Sequence, residues 1–102
     1  MVTKVTDENY SGFIDSGIVV LNFKAEWCGP CRALSPIIDE LSNNYENVRV
    51  GRVNIDENPN IVESLGIRSV PTTIIYKNGE IVEKHVGNAS ILLFKSLIDK
   101  HN

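Results

Sequence analysis

Strand-like and helix-like segments alternate along the chain, and this predicts an α/β domain: a central mixed β-sheet flanked by helices on both faces. Three observations carry the prediction. Residues 18–23 (IVVLNF) form a nearly continuous apolar run rich in β-branched side chains, the pattern of a central strand covered on both sides. Residues 30–45 follow, with Leu34, Ile37, Ile38, Leu41 and Tyr45 spaced to make one helical face. Residues 48–55 (VRVGRVNI) then alternate as a strand. A strand, a helix and a strand in such close succession imply a right-handed βαβ unit with parallel strands.

The remaining elements follow in order. Residues 2–5 can form a short first strand. Thr6 can cap a helix over residues 7–16, with Asp7 and Glu8 in the first turn where the helix dipole favours acids, and Gly17 stops it. Pro30 suits the first turn of the second helix, where its missing N–H costs little. Pro36 lies inside that helix and should kink it. Asn58-Pro59 reads as the N-cap and first position of a short helix to Leu65, ended by Gly66. Pro71 precedes a β-rich run at 72–76, and Asn78-Gly79 signals a hairpin whose return strand is 81–86. Gly87 breaks the chain. Ser90 can cap a last helix to Lys100 with Ile91, Phe94, Leu97 and Ile98 facing inward. The order is β-α-β-α-β-α-β-β-α.

Length and composition fit one domain spanning residues 1–102, with 42% apolar and 23% charged residues and a net charge of −3. The balance carries no basic footprint, so nucleic acid is not an expected partner. No apolar run reaches the roughly 20 residues of a membrane span, and residues 1–4 lack the apolar core of a signal peptide. A cytoplasmic location is the expectation, with no membrane association.

Two cysteines, Cys28 and Cys31, decide the chemistry. A disulfide framework would need more of them, spread along the chain. A structural zinc site needs four ligands, and the only histidines, His85 and His101, are distant in sequence and not spaced as a zinc finger spaces them. A close pair is better read as a dithiol that cycles. Cys28 stands at the start of a predicted helix, where unpaired N–H groups and the positive dipole end favour a thiolate. Cys31, one turn in, should be more shielded, and the i, i+3 spacing brings the two sulfurs together. Cys28 is then the nucleophile that forms a mixed disulfide with a partner, and Cys31 resolves it. Pro30 removes an N–H that could stabilise the thiolate, which biases the pair toward reducing power; Gly29 adds little chemistry.

The segment Ala25-Glu26-Trp27-Cys28-Gly29-Pro30-Cys31 resembles the active site of the thioredoxin family. A bare CxxC is weak evidence, but Trp-Cys-Gly-Pro-Cys at a strand-to-helix junction is specific. The similarity extends over nearly the whole chain: Val70-Pro71-Thr72 resembles the family's cis-proline loop, Lys77-Asn78-Gly79 its hairpin turn, and Val86-Gly87 the glycine flanking its substrate groove. Asn54-Ile55-Asp56 and Asn58-Pro59 also fall where the family's segments fall. The resemblance implies a thioredoxin fold and a protein-disulfide reductase. It implies no bound cofactor beyond the redox-active Cys28–Cys31 disulfide. It also implies a monomer that exchanges with disulfide-containing proteins and a thioredoxin reductase, either an NADPH-dependent flavoprotein or a ferredoxin- or flavin-linked one. Trp27, Gly29, Ile67, Val70 and Gly87 would form a flat apolar patch for protein partners. A cis bond before Pro71 would present the Val70 backbone to an extended substrate segment.

Two departures from the family pattern stand in the strand before the motif. Asn22 occupies the place of a buried aspartate thought to take or relay the resolving cysteine's proton, which an amide cannot do. Loss of that negative charge should ease ionisation of the thiols. Lys24 replaces an aromatic residue and shares a strand face with Asn22. It either reaches water with its stem on the core or sets a positive charge near the thiolate. Arg52 stands where the family often carries a lysine, and it is expected to pair with Glu26 or face solvent. Two alternatives remain. A glutathione-linked, glutaredoxin-like enzyme would usually carry Cys-Pro-Tyr-Cys. A thioredoxin-fold binding module would not require Trp27, both cysteines and Pro71 together.

Overall fold

The computed structural model describes residues 1–102. Its elements follow the predicted order: β1 (Val2–Lys4), α1 (Tyr10–Ile14), β2 (Ile18–Lys24), α2 (Gly29–Asn44), β3 (Val48–Asn54), α3 (Pro59–Leu65), β4 (Thr72–Lys77), β5 (Glu80–Val86) and α4 (Ile91–Asp99). They build one five-stranded sheet in the order β1-β3-β2-β4-β5. β1, β3 and β2 run parallel, β4 is antiparallel to β2, and β5 is antiparallel to β4. The sheet is therefore mixed, as the βαβ unit and the hairpin together require.

β2 lies at the centre and is buried from Ile18 to Phe23. Its alternate side chains feed two cores, because successive residues of a strand point to opposite faces. Ile18 and Val20 pack with Leu34, Ile38 and Leu41 of α2 and with Phe94 and Ile98 of α4. Val19, Leu21 and Phe23 pack on the other side with Val5, Ile61 of α3 and Tyr76, while Tyr10, Phe13 and Ile14 of α1 cover them. Parity carries Asn22 and Lys24 onto the α2 side. The register sets Asn22 beside Arg52 of β3 and beside Thr73 of β4.

The helix ends depart from the sequence expectation in instructive ways. α1 begins at Tyr10, not at residue 7, with Asn9 in the N-cap position. Thr6 and Asn9 close the preceding turn between themselves: the Thr6 N–H donates to Asn9 Oδ1 at 2.7 Å and the Asn9 N–H to Thr6 Oγ1 at 3.4 Å. Asp7 serves a different helix. Its carboxylate accepts the N–H groups of Asn60 (3.3 Å) and Ile61 (2.9 Å), so it supplies the cap of α3. Asn58, the expected cap, instead accepts the Asp7 N–H at 3.0 Å and donates to the Asn54 carbonyl at 3.0 Å. Gly66 ends α3 in the left-handed conformation, φ 66°, and the Ile67 N–H reaches back to the Val62 carbonyl at 3.0 Å.

Pro36, expected to kink α2, lies inside it. α2 continues through it, and Pro36 is exposed, so the carbonyl it leaves without a donor can bond water. The hairpin forms at Asn78 (φ 52°) and Gly79 (φ 85°), both with the positive φ of a type I′ turn. Its tip is tied to the loop before β2: Asn78 accepts the Gly17 N–H through Oδ1 and donates its own N–H to the Gly17 carbonyl, each at 2.9 Å. Ser90 caps α4 by accepting the Leu93 N–H at 3.2 Å.

Candidate active site

β2 runs out at Lys24, and after Ala25, Glu26 and Trp27 the chain turns into α2. Cys28 is the N-cap of that helix, in an extended conformation, and Pro30 occupies its first turn. Cys28 and Cys31 form a disulfide with their Cα atoms 5.2 Å apart. The Cys31 N–H donates to Cys28 Sγ at 3.2 Å, so a backbone donor of the first helical turn already points at that sulfur. The two residues are equally covered, each 5% exposed, so the greater shielding expected for Cys31 is not present in the disulfide form.

The loop before β4 closes over the pair. The Val70–Pro71 peptide bond is cis. The Val70 carbonyl oxygen lies 3.7 Å from Cys28 Sγ, and Ala25, Ile55 and Val70 pack around both sulfurs. Neither backbone nor side chain accepts the Val70 N–H. Gly87, φ 97°, donates its N–H to the Pro71 carbonyl at 2.8 Å, which fixes the start of the last loop beside the proline. Trp27 is 67% exposed, and its indole N–H donates to the Asp56 carboxylate at 2.9 Å. Ile67 belongs mainly to the α1–α3 core and leaves only 9% of its surface outside, so it contributes little area to an apolar patch.

The departures in β2 resolve into a charge arrangement. Asn22 is 3% exposed, and its amide donates to the Thr73 hydroxyl at 3.4 Å. Lys24 forms an ion pair with Glu26. That contact holds the Glu26 carboxyl below the usual carboxylate range, chiefly through the Lys24 hydrogen bond and then through its charge. Arg52 does not pair with Glu26 as expected. Its guanidinium reaches α2 instead, 3.1 Å from Asp39 Oδ1 and 3.3 Å from the Ser35 carbonyl, because β3 runs directly beneath that helix. A cleft of about 170 Å³, lined by Lys24, Ala25, Glu26, Cys31, Arg32, Ser35 and Arg52, separates these groups. No three His, Cys, Asp or Glu side chains come together in a way that could hold a metal ion.

The thioredoxin family model matches residues 1–100. The chain belongs to the thioredoxin family. It is 43% identical over 101 residues to thioredoxin of Chlamydia pneumoniae, covering 99% of each chain. It is 40% identical over 102 residues to that of Chlamydia caviae, covering 100% of each, and 37% identical over 101 residues to that of Staphylococcus saprophyticus, covering 98% of this chain and 97% of the relative. The thioredoxin fold follows, and so does the chemistry. This is a protein-disulfide oxidoreductase working by dithiol–disulfide exchange at Cys28 and Cys31, the redox-active pair found bridged here.

Sequence reasoning did not find three pairings of the site. Asp56 holds Trp27, Asp39 holds Arg52, and Glu26 holds Lys24. The first had a signal in the segment Asn54-Ile55-Asp56, where the Asn54 side chain accepts the Asp56 N–H at 2.9 Å and so shapes the loop.

Proposed function

We propose that Cys28 is the attacking sulfur and Cys31 the resolving one in the reduction of protein disulfides. The observation that carries this is the Cys31 N–H on Cys28 Sγ at the head of α2, a donor aimed at the atom that must hold negative charge. The thiolate of Cys28 attacks a partner disulfide, and a mixed disulfide forms as one partner sulfur leaves with the electron pair. Cys31 then attacks Cys28 and expels the second partner sulfur. Two electrons pass to the partner, and the Cys28–Cys31 bond remains.

Trp27, Gly29, Pro30, Val70, Pro71 and Gly87 receive the partner, with Ile67 supporting them from the core. The free Val70 N–H and the adjacent carbonyl suit pairing with an extended segment of that partner. Asn22 puts a neutral amide where the family has a buried acid, and Lys24 and Arg52 set positive charge on the same side of the sheet, which together favour thiol ionisation. The chain acts as a monomer in the cytoplasm, with no bound cofactor. It is recharged by a thioredoxin reductase, an NADPH-dependent flavoprotein or a ferredoxin- or flavin-linked enzyme.

The test uses a disulfide-bonded protein with Cys28→Ser and Cys31→Ser. Cys31→Ser should trap a mixed disulfide and Cys28→Ser should form none; the reverse pattern overturns the assignment. Turnover with a small dithiol but not with glutathione is the expected result for the wild type.

A further inference from the structure

We propose that Lys24 and Arg52 act on Cys31 and not on Cys28, stabilising the resolving thiolate as it forms in the cleft it shares with them. The proposal rests on the exchange chemistry above and assigns the charges of this chain to one of its two steps.

The cleft supplies the selectivity. Among the residues that line it are Cys31 and the cations Lys24, Arg32 and Arg52, with Glu26 the single carboxylate; Cys28 is absent. Cys28 faces the other way, toward the Val70 carbonyl, and takes its stabilisation from the helix N-terminus. The charged groups facing the cleft come from each neighbouring element: Lys24 and Glu26 from the end of β2 and its loop, Arg32 from α2 and Arg52 from β3. Asp39 of α2 lies outside it and answers Arg52. Glu26 is a surface group, its side chain 78% exposed, whereas the Lys24 side chain is only 22% exposed. Water therefore screens the carboxylate more than the ammonium. Arg52 Nε is enclosed and finds no acceptor among the protein atoms around it. Three cations thus face one carboxylate across the cleft, and the rest of its lining beside Cys31, Ala25 and Ser35, carries no charge.

In the resolving step the Cys31 thiol gives its proton to water in the cleft. Its sulfur then bonds Cys28 Sγ, the bond from Cys28 to the partner sulfur breaks, and the partner sulfur leaves with the electron pair and takes a proton from solvent. No base from the protein is needed if the thiolate is stabilised where it forms, which is how a neutral Asn22 can stand in the sheet behind it.

A neutral dipyridyl disulfide reads the two steps separately in the full chain, since Cys28 releases a first pyridinethione and Cys31 a second. In Lys24→Met and Arg52→Met the pH midpoint of the second phase should rise by about one unit, which slows that phase about tenfold at neutral pH. The first phase should stay within about twofold of wild type, and Lys24→Arg should restore the second. Thermal unfolding of the oxidised variants checks their folding. Glu26→Gln, a surface change, keeps the test open should either cation variant fail to fold: it removes the counter-charge and should move the second midpoint downward. Equal shifts in both phases, a shift confined to the first, or no shift in either overturns the proposal. A failure to trap a mixed disulfide in Cys31→Ser would instead overturn the assignment of the two sulfurs.

Discussion

Gly51 lies in the middle of β3, and a methyl group there has nowhere to go. A Cβ at this position would stand 2.6 Å from Val5 Cγ2, 2.7 Å from Phe13 Cε2 and 3.0 Å from Leu21 Cδ1. Val5 and Leu21 are fully buried and cannot swing into solvent, so even if the half-buried Phe13 ring gives way, the strand must shift to relieve the other two contacts. Overpacking of this kind costs about 1–3 kcal/mol. Gly51→Ala should therefore lower the urea midpoint of the oxidised protein by about 0.5–3 M, taking a slope of roughly 1–2 kcal/mol per M for a small domain. Val5→Ala alone should also destabilise, by removing buried methyl groups. The double variant should lose at least about 1 kcal/mol less than the sum, because the second change clears the closest contact of the first. The clash lies on the α1 side of the sheet, away from the cleft, so exchange rates of the folded variant should match wild type. An unfolding free energy within about 0.5 kcal/mol of wild type, or strict additivity, refutes the packing argument.

Three further predictions follow from particular contacts. Asn22→Asp returns a negative charge to the buried face of β2 and should raise the thiol pKa values; an unchanged or acid-shifted pH profile of alkylation in the reduced protein contradicts this. Asp7→Ala removes both side-chain acceptors at the head of α3 and should cost about 1–2 kcal/mol in urea unfolding, with hydrogen exchange at Asn60 and Ile61 accelerated most. Tyr45 is pushed up to about 12 by burial and by its hydrogen bond to Asp99, so its neutral form is favoured in the folded chain. That share of stability is complete below the ordinary tyrosine value of 10.0 and disappears as pH rises toward about 12. Tyr45→Phe should flatten this part of a melting-temperature profile, and an unchanged alkaline slope excludes the mechanism.

The sheet was legible in the sequence because its signals are local and strong. Residues 18–23 can only be covered on both faces, and the Asn78-Gly79 turn needs the positive φ that its residues readily adopt. The redox pair was legible because its chemistry needs two cysteines one helical turn apart, at a helix start. What escaped were partnerships across the fold. Asn58 looked like a cap from its neighbours, but the acceptor that reaches the α3 amides is Asp7, far away in sequence. Arg52 looked free to meet Glu26 until β3 was placed beneath α2, where Asp39 is nearer. Cys31 looked inner from its position along the helix, but the loop at Val70 covers both sulfurs alike. Spacing along a strand or helix gives the face a residue occupies; it does not give the loop that will lie on top of it.

Because Asp7 and Asn58 each satisfy the other's segment, the amino-terminal stretch behaves as a keystone instead of a tail. Cutting the chain back beyond residue 7 would unfasten the short helix whose far end leads into the wall beside the sulfurs. An added tag ahead of Met1, by contrast, would leave that fastening intact, which makes the front of the chain a place to extend and never to trim.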